Sequence, residues 1–397
     1  MGWDIRNLEE VTNLITCGVA ARPDYFDEGI PFLSAKNVKK GKLLFEDYRF
    51  ISPEKHRELT KYNKPEKGDI LYTRVGSYGE ATIIDIDDPF SIFVSLTLIK
   101  PKREIIENKF LQYYLNSDTV KKRAKDSING VGVGNLNVGT VRKFPVPIPK
   151  LVEQQAIVEK LDFAFDAIEK AKANIEKNIE NAKELFQSKL NEIFSQKGEG
   201  WEKKKLKEMG KVQTGTTPKT AESDNYGDFI PFIKPADFNK DGSIVSKGSS
   251  LSEKGLKSGR LINENSALMV CIGATIGKTG YTLVPVSCNQ QINAITPTKE
   301  FNYKFIYYGL ISKDFNNKVL NEGKGAQATL PIINKSKWEN LTMNVTLNLI
   351  EQKQIVSQLD LLSEQTNLLQ EKYKHKLANL EELKKSILEK AFKGELV

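Results

Sequence analysis

The chain repeats itself at an interval of 198 residues, almost half its length. Gly2-Trp3-Asp4 returns as Gly200-Trp201-Glu202. Glu153-Gln154-Gln155-Ala156-Ile157-Val158, ending at Leu161-Asp162, returns as Glu351-Gln352-Lys353-Gln354-Ile355-Val356, ending at Leu359-Asp360. Solenoid units are roughly 20–50 residues long, so a period of this size marks a duplicated domain. The fold has to build one architecture twice. It then presents two similar surfaces, suited to two similar targets at a fixed separation.

A length of 397 residues is too great for one ordinary core. Each copy begins with about 150 residues in which short apolar runs alternate with Gly, Pro, Asn and Asp. Ile30–Leu33, Asp69–Tyr72 and Phe93–Ile99 in the first copy, and Ile230–Ile233, Leu268–Ile272 and Gln291–Ile295 in the second, read as strands between turns. Lys109–Leu115 and Lys304–Leu310 read as helices. Each copy then closes with a long stretch free of Gly and Pro, from Leu151 to about Lys197 and from Leu349 to about Lys393. Apolar residues recur there in steps of three, four and seven: Ile157, Leu161, Phe165 and Ile168 onward to Ile193, then Ile355, Leu359 and Leu362 through Leu369 and Leu383 to Ile387. That spacing predicts one apolar face on a helix about 65–70 Å long. Two such helices can bury their stripes on each other as a coiled-coil-like pair, or each can lie along its own arm. Two-fold symmetry, usual for duplicated units, favours an antiparallel pair. The expected fold class is α+β with internal pseudo-two-fold duplication. The arms are 1–150 and 198–348, and the helical segments are 151–197 and 349–397.

Charge divides along the same lines. Residues 151–197 carry nine acidic and seven basic side chains, and residues 349–397 carry eight of each. The chain as a whole is +8, which leaves +10 (+8 less −2) for the arms. Basic arms suit a polyanion, and neutral helices suit a different partner. No apolar run approaches the roughly 20 residues of a membrane helix, and the N-terminus has neither a signal core nor a myristoylation pattern. Three cysteines, Cys17, Cys271 and Cys288, form no Cys-x-x-Cys pair, and His56 and His375 are the only histidines. A zinc site and a disulfide framework are not expected, and the cytoplasm is the expected compartment.

Catalytic signatures are poor. Ile272–Thr279 looks like a P-loop but has three residues, not four, between Gly273 and Gly277. The first copy has the same strand-then-glycine element at Arg74–Gly79 without a lysine, so a duplicated tight turn explains both. Gly130-Val131-Gly132-Val133-Gly134 and its counterpart Gly323-Lys324-Gly325-Ala326-Gln327 read equally as loops beside a nucleic-acid backbone or as connectors. Ser34-Ala35-Lys36-Asn37 and Lys234-Pro235-Ala236-Asp237 follow the two Ile-Pro-Phe strands, where polar side chains reach a phosphate or form a solvated turn. Asp85, Asp87 and Asp88 read as a solvated loop. No nucleophile elbow, His-Glu-x-x-His helix or Asp-Pro-Pro-Tyr methyltransferase motif stands out.

Taken in order, the Gly-Trp start, the Ile-Pro-Phe strand, the strand–Gly turn and the helix opening Pro145–Gln155, or Leu349–Lys353, occur in both halves. This set resembles the specificity subunit of type I restriction–modification systems over essentially the whole chain. In place of the proline series Pro145, Pro147, Pro149 the second copy has Thr342–Thr346. The resemblance implies that each arm is a target-recognition domain reading one half of a bipartite sequence in double-stranded DNA. It implies that the two helices form the spacer and, with the arms, dock modification subunits, two in number. Those subunits carry S-adenosylmethionine and methylate adenine, and a restriction subunit joins with ATP and Mg. The chain itself then has no cofactor and performs no chemistry. A rod of this length sets two readers about two turns of B-DNA apart. Base choice by Arg, Lys, Asn, Gln and Ser in the major groove puts Lys36, Asn37, Arg74 and Tyr78 forward in the first arm, and Lys234, Thr275, Lys278 and Gln327 in the second. Gln154, Gln155, Gln352 and Gln354 are the candidate partner contacts on the helices. The competing readings are a coiled-coil adaptor without DNA readout, and a nucleotide- or S-adenosylmethionine-binding enzyme.

Overall fold

In the first arm Ile70–Thr73 is buried along its whole length, as a continuous apolar run flanked by turn residues demands. It lies inside a four-stranded antiparallel sheet in the order Thr12–Cys17, Leu96–Pro101, Ile70–Thr73, Ala81–Ile83. Ser266–Val270 does the same in the second arm, in the order Gly210–Thr214, Ile292–Pro297, Ser266–Val270, Thr279–Thr282. The Ile-Pro-Phe segments form the centre of a three-stranded sheet in each arm. Ile30–Leu33 pairs antiparallel with Arg49–Ile51 and parallel with Ser91–Ile92, and Tyr226–Ile233 is flanked likewise by Ser250–Leu251 and Ser287–Cys288. Phe93–Ile99 reads in the sequence as a single strand. It enters the sheet only at Leu96, because Leu96 N donates to Phe93 O and closes a turn first.

The computed structural model describes residues 2–76, 78–128, 134–239, 241–323 and 331–396. Its contacts divide the chain into two compact units, Met1–Ile175 with His375–Val397, and Glu176–Lys374. The division passes through both long helices, Leu151–Phe194 and Leu349–Phe392, each of 44 residues. Each unit therefore contains one arm, the opening turns of that arm's own helix and the closing turns of the other helix.

In the first unit Ile157, Leu161, Phe165 and Ile168 share a core with Leu388 and Ala391. Lys172 pairs with Glu381 and Glu169 with Lys384, so residue numbers rise on one helix as they fall on the other, and the pair is antiparallel. In the second unit Val356 and Leu359 share a core with Leu190, Ile193 and Phe194. The apolar stripe thus serves both purposes at once, closing the arm and meeting the second helix. Leu369 and Leu383 do not follow the expected stripe and are exposed, because the 3.6-residue period drifts off the buried face.

The strand that opens each copy is fastened by the strand that precedes the long helix. Asp4–Asn7 pairs with Pro145–Ile148, and Trp201–Lys205 pairs with Thr342–Thr346. The proline series and its proline-free counterpart therefore follow one path. Pro145 and Pro147 are tolerated because the ribbon has only two strands, so each has an open edge. Among the described residues no helix is long and apolar enough to cross a membrane.

Candidate functional site

The repeated helix opening is a clamp between helix and arm. Trp3 Nε1 donates to Glu153 at 3.0 Å, and Trp201 Nε1 donates to Glu351 at 3.2 Å. Gln154 is fully buried: its carbonyl accepts from Glu107 N at 2.8 Å, and its amide donates to Ile105 O and Pro149 O at 3.0 and 2.9 Å. Gln352 repeats this with Asn302 N, Glu300 O and Thr346 O at 2.8, 3.0 and 2.9 Å. About two turns on, Asp162 accepts from Lys109 at 2.6 Å and Tyr113 at 2.5 Å, and Asp360 from Lys304 at 2.7 Å and Tyr308 at 2.6 Å. Burial first, then the adjacent carboxylate, raises the phenols of Tyr113 and Tyr308, so both remain protonated donors. Burial is the largest single influence on the Lys304 ammonium and would lower it, but the bond to Asp360 together with the nearby Asp360, Tyr281 and Tyr303 charges raises it overall. Gln154 and Gln352 are therefore interior fasteners and not partner contacts. Both amide N–H donors are spent on backbone carbonyls, and neither side chain has any exposed surface. Gln155 and Gln354 are exposed on the helices.

The candidate DNA contacts separate in the same way. Asn37 is buried. Its side chain accepts from Ser34 N and donates to Leu44 O and Glu46 O, which shapes the turn after the Ile-Pro-Phe strand. Arg74 is also buried, donating to Leu136 O, Val94 O and Asn135 Oδ1 at 2.9, 3.0 and 2.9 Å. Both side chains are buried and hydrogen-bonded inside the arm, so neither stands on its surface as a reader would. Lys36 is exposed and paired with Asp47 at 2.7 Å. Tyr78 is half-buried next to Gly134. In the second arm Lys234, Thr275 and Lys278 are exposed. Lys278 Nζ donates to Pro235 O at 3.2 Å, which brings it beside Lys234. Lys247 ends on the same turn, donating to Ala236 O at 2.6 Å, and spacing alone gave no reason to single it out. Gln327, with the rest of 324–330, and residues 129–133 lie outside the described residues.

The turn resembling a P-loop joins two strands of a hairpin, with Gly273 and Gly277 at φ of 98° and 88°. No helix follows it, so its amides make no phosphate cradle at a helix N-terminus. Gly76 and Gly79 repeat the positive φ in the first arm, at 79° and 86°, which explains why glycine recurs there. Burial pushes the Cys271 and Cys288 thiols up to about 12, leaving them protonated and unreactive. His56 Nδ1 lies 2.9 Å from Ser91 Oγ. Burial, then Lys64 and Arg57, lower the imidazole, which stays neutral. No group of metal-ligating side chains occurs among the described residues.

Facing away from the clamps, Val152 and Phe163 are 77% and 80% exposed, and Ile350 and Leu361 are 70% and 55% exposed. The second pair is the first shifted by 198 residues. Eleven residues are close to three helical turns, so each pair lies on one face of its helix.

The family profile described as "Type I restriction modification DNA specificity domain" matches residues 1–181 and again 198–379. The specificity subunit of the type I restriction enzyme HindI of Haemophilus influenzae is 26% identical over 287 residues, 69% of this chain and 60% of that protein. The chain thus aligns with less than two thirds of that relative's length. The putative MjaX specificity subunit of Methanocaldococcus jannaschii is 23% identical over 99% of this chain and 93% of its own length. A structure reported for complex assembly and conformational transition of the type I R-M system shares the fold at a TM-score of 0.77 and 20% identity, over 99% of this chain and 98% of that one. The crystal structure of the HsdS subunit from Thermoanaerobacter tengcongensis matches at a TM-score of 0.63 and 20% identity, over 99% and 97%.

Proposed function

The chain belongs to the type I restriction–modification DNA specificity family, and we propose that it selects the DNA sequence on which a modification and restriction complex acts. Each arm reads one half of a bipartite target, the paired helices set the spacing, and chemistry resides on partner subunits that bring S-adenosylmethionine, and ATP with Mg for cleavage. The cytoplasm is its compartment in this reading. One observation carries it most directly. Two arms whose exposed turns differ in sequence and charge are held to their helices by the same Trp–Glu, Gln and Asp contacts. The mounting is shared and the readers are not. Replacing residues 1–150 by the arm of another family member is expected to change one half of the sequence methylated in the host and leave the other half intact. Methylation mapping that finds both halves altered, or neither, refutes two independent readers.

Modification subunits dock, in this proposal, on the helix faces that carry Val152 with Phe163 and Ile350 with Leu361. The repeat of the exposed apolar pair supports one kind of partner bound twice, and exposed apolar residues in register on one helix face are what a helix-docking partner uses. Lys36, Tyr78, Lys234, Thr275 and Lys278 remain as contacts to DNA.

A further inference from the structure

The turn after the Ile-Pro-Phe strand has one backbone design in both arms, but three equivalent positions at and around it differ in charge. Ser34 N donates to Asn37 Oδ1 at 3.0 Å, and Lys234 N donates to Asp237 Oδ2 at 2.7 Å. The Asn37 side chain bonds the backbone of Glu46, and the Asp237 side chain bonds the backbone of Lys247. Thr73 N donates to Glu80 O at 2.9 Å, and Val270 N donates to Lys278 O at 2.8 Å. Hydrogen bonding thus equates Ser34 with Lys234, Glu46 with Lys247, and Glu80 with Lys278. Three lysines in the second arm stand where the first has a serine and two glutamates.

The three ammonium groups are anchored but not neutralised. Lys278 and Lys247 each spend one donor on successive carbonyls, Pro235 O and Ala236 O, and Lys234 spends one on Ser249 Oγ at 2.9 Å. Phe232 lies 5.9 Å from the Lys234 ammonium and Phe238 lies 6.0 Å from that of Lys278. A lysine ammonium has three donors, so each keeps two to offer. No carboxylate pairs with any of the three among the described residues. The nearby Asp237 is buried and accepts backbone N–H of Lys234 and Lys247. In the first arm the opposite holds: Glu80 pairs with Lys121 and Lys36 with Asp47, each at 2.7 Å.

We propose that Lys234, Lys247 and Lys278 form a phosphate grip on the second arm that the first arm lacks, so that the two arms hold the DNA backbone unequally. This rests on the reading that both arms bind DNA. The ligand is the phosphodiester of the duplex, contacted without regard to base, and the grip fixes the second arm's register while other groups choose the sequence. The test uses the full chain complexed with its modification subunits and a cognate duplex. Affinity is measured across salt for the wild type and for a Lys234→Gln, Lys247→Gln, Lys278→Gln variant. A charge-matched control carries Lys177→Gln, Lys372→Gln and Lys390→Gln on the long helices. Each lost phosphate contact lowers the log–log salt slope by about 0.9, so the triple variant is expected to lose about 2–3 from the slope and to keep its methylated sequence. The control is expected to keep the wild-type slope. An unchanged slope in the triple variant, or an equal loss in the control, overturns the grip while two-reader recognition stands. A wild-type complex that selects no sequence overturns the functional reading and the grip with it.

Discussion

Gln154 and Gln352 are the residues whose removal separates mounting from reading. Each side-chain amide satisfies one backbone N–H and two backbone carbonyls that have no water to turn to. Alanine in place of Gln352 leaves them unpaired, and the expected loss is about 2–3 kcal/mol of unfolding free energy, against less than about 0.5 kcal/mol for Gln155→Ala on the exposed face. Urea denaturation followed by far-ultraviolet circular dichroism checks both, and equal midpoints for the two variants would contradict the clamp. The duplicated Glu-Gln pair was plain in the sequence, but its role was not. A polar residue at the start of a helix looks the same whether it turns toward solvent or into the arm, and the groups that decide it, Glu107 N and Asn302 N, lie about 50 residues away. Asn37 and Arg74 raise the same difficulty, since charge and polarity suggest contact with DNA while their hydrogen-bond partners lie within the arm.

At the scale of elements, the long helices were legible to within a few residues because a long stretch without Gly or Pro, with apolar steps of three and four, fits only the helical period. The strand–glycine turns were legible because positive φ demands glycine. Which apolar residues stay outside was not legible, since Phe163 and Leu361 fit the composition of either face. Two predictions belong to these helices. Phe163→Asp with Val152→Asp is expected to weaken binding of the modification subunit by about 30-fold or more, with the melting temperature nearly unchanged because neither side chain is buried. Titration calorimetry showing wild-type affinity would remove this face from the docking surface. The second prediction concerns Glu169 and Glu381, both held below the usual value of about 4.5, the first mainly by its bond from Lys384 and the second by that from Lys172. A depressed carboxyl stabilises the fold above its unfolded value and loses that contribution as pH falls through the folded value. Both are about half exposed, so solvent screening holds the effect below about 1 kcal/mol. A Glu169→Gln, Glu381→Gln variant is expected to match the wild type in urea midpoint at pH 3 and to fall short of it at pH 7. A gap of the same size at both pH values would show that the network is not electrostatic.

For the whole molecule, the proposed reading of the helices as the spacer makes spacing an adjustable quantity. The pairs Lys172–Glu381 and Glu169–Lys384 place residue 173 of the first helix opposite residue 380 of the second, by continuation of the same register. Deleting 173–179 together with 374–380 therefore removes seven matched residues from both helices. Seven residues are nearly two full turns, so the remaining stripes stay in phase to within about 20°, and each helix shortens by about 10 Å. The clamps at Gln154 and Gln352 and both arms are untouched. If the helices are the spacer, the accepted gap between half-sites shortens by about three base pairs while both half-site sequences stay the same, and methylation mapping of a host carrying the variant reads this directly. Deleting only one of the two segments breaks the register and is expected to abolish modification altogether. A matched deletion that leaves the gap unchanged would mean that the separation of the readers is fixed by the modification subunits, with the helices serving only to hold the arms together.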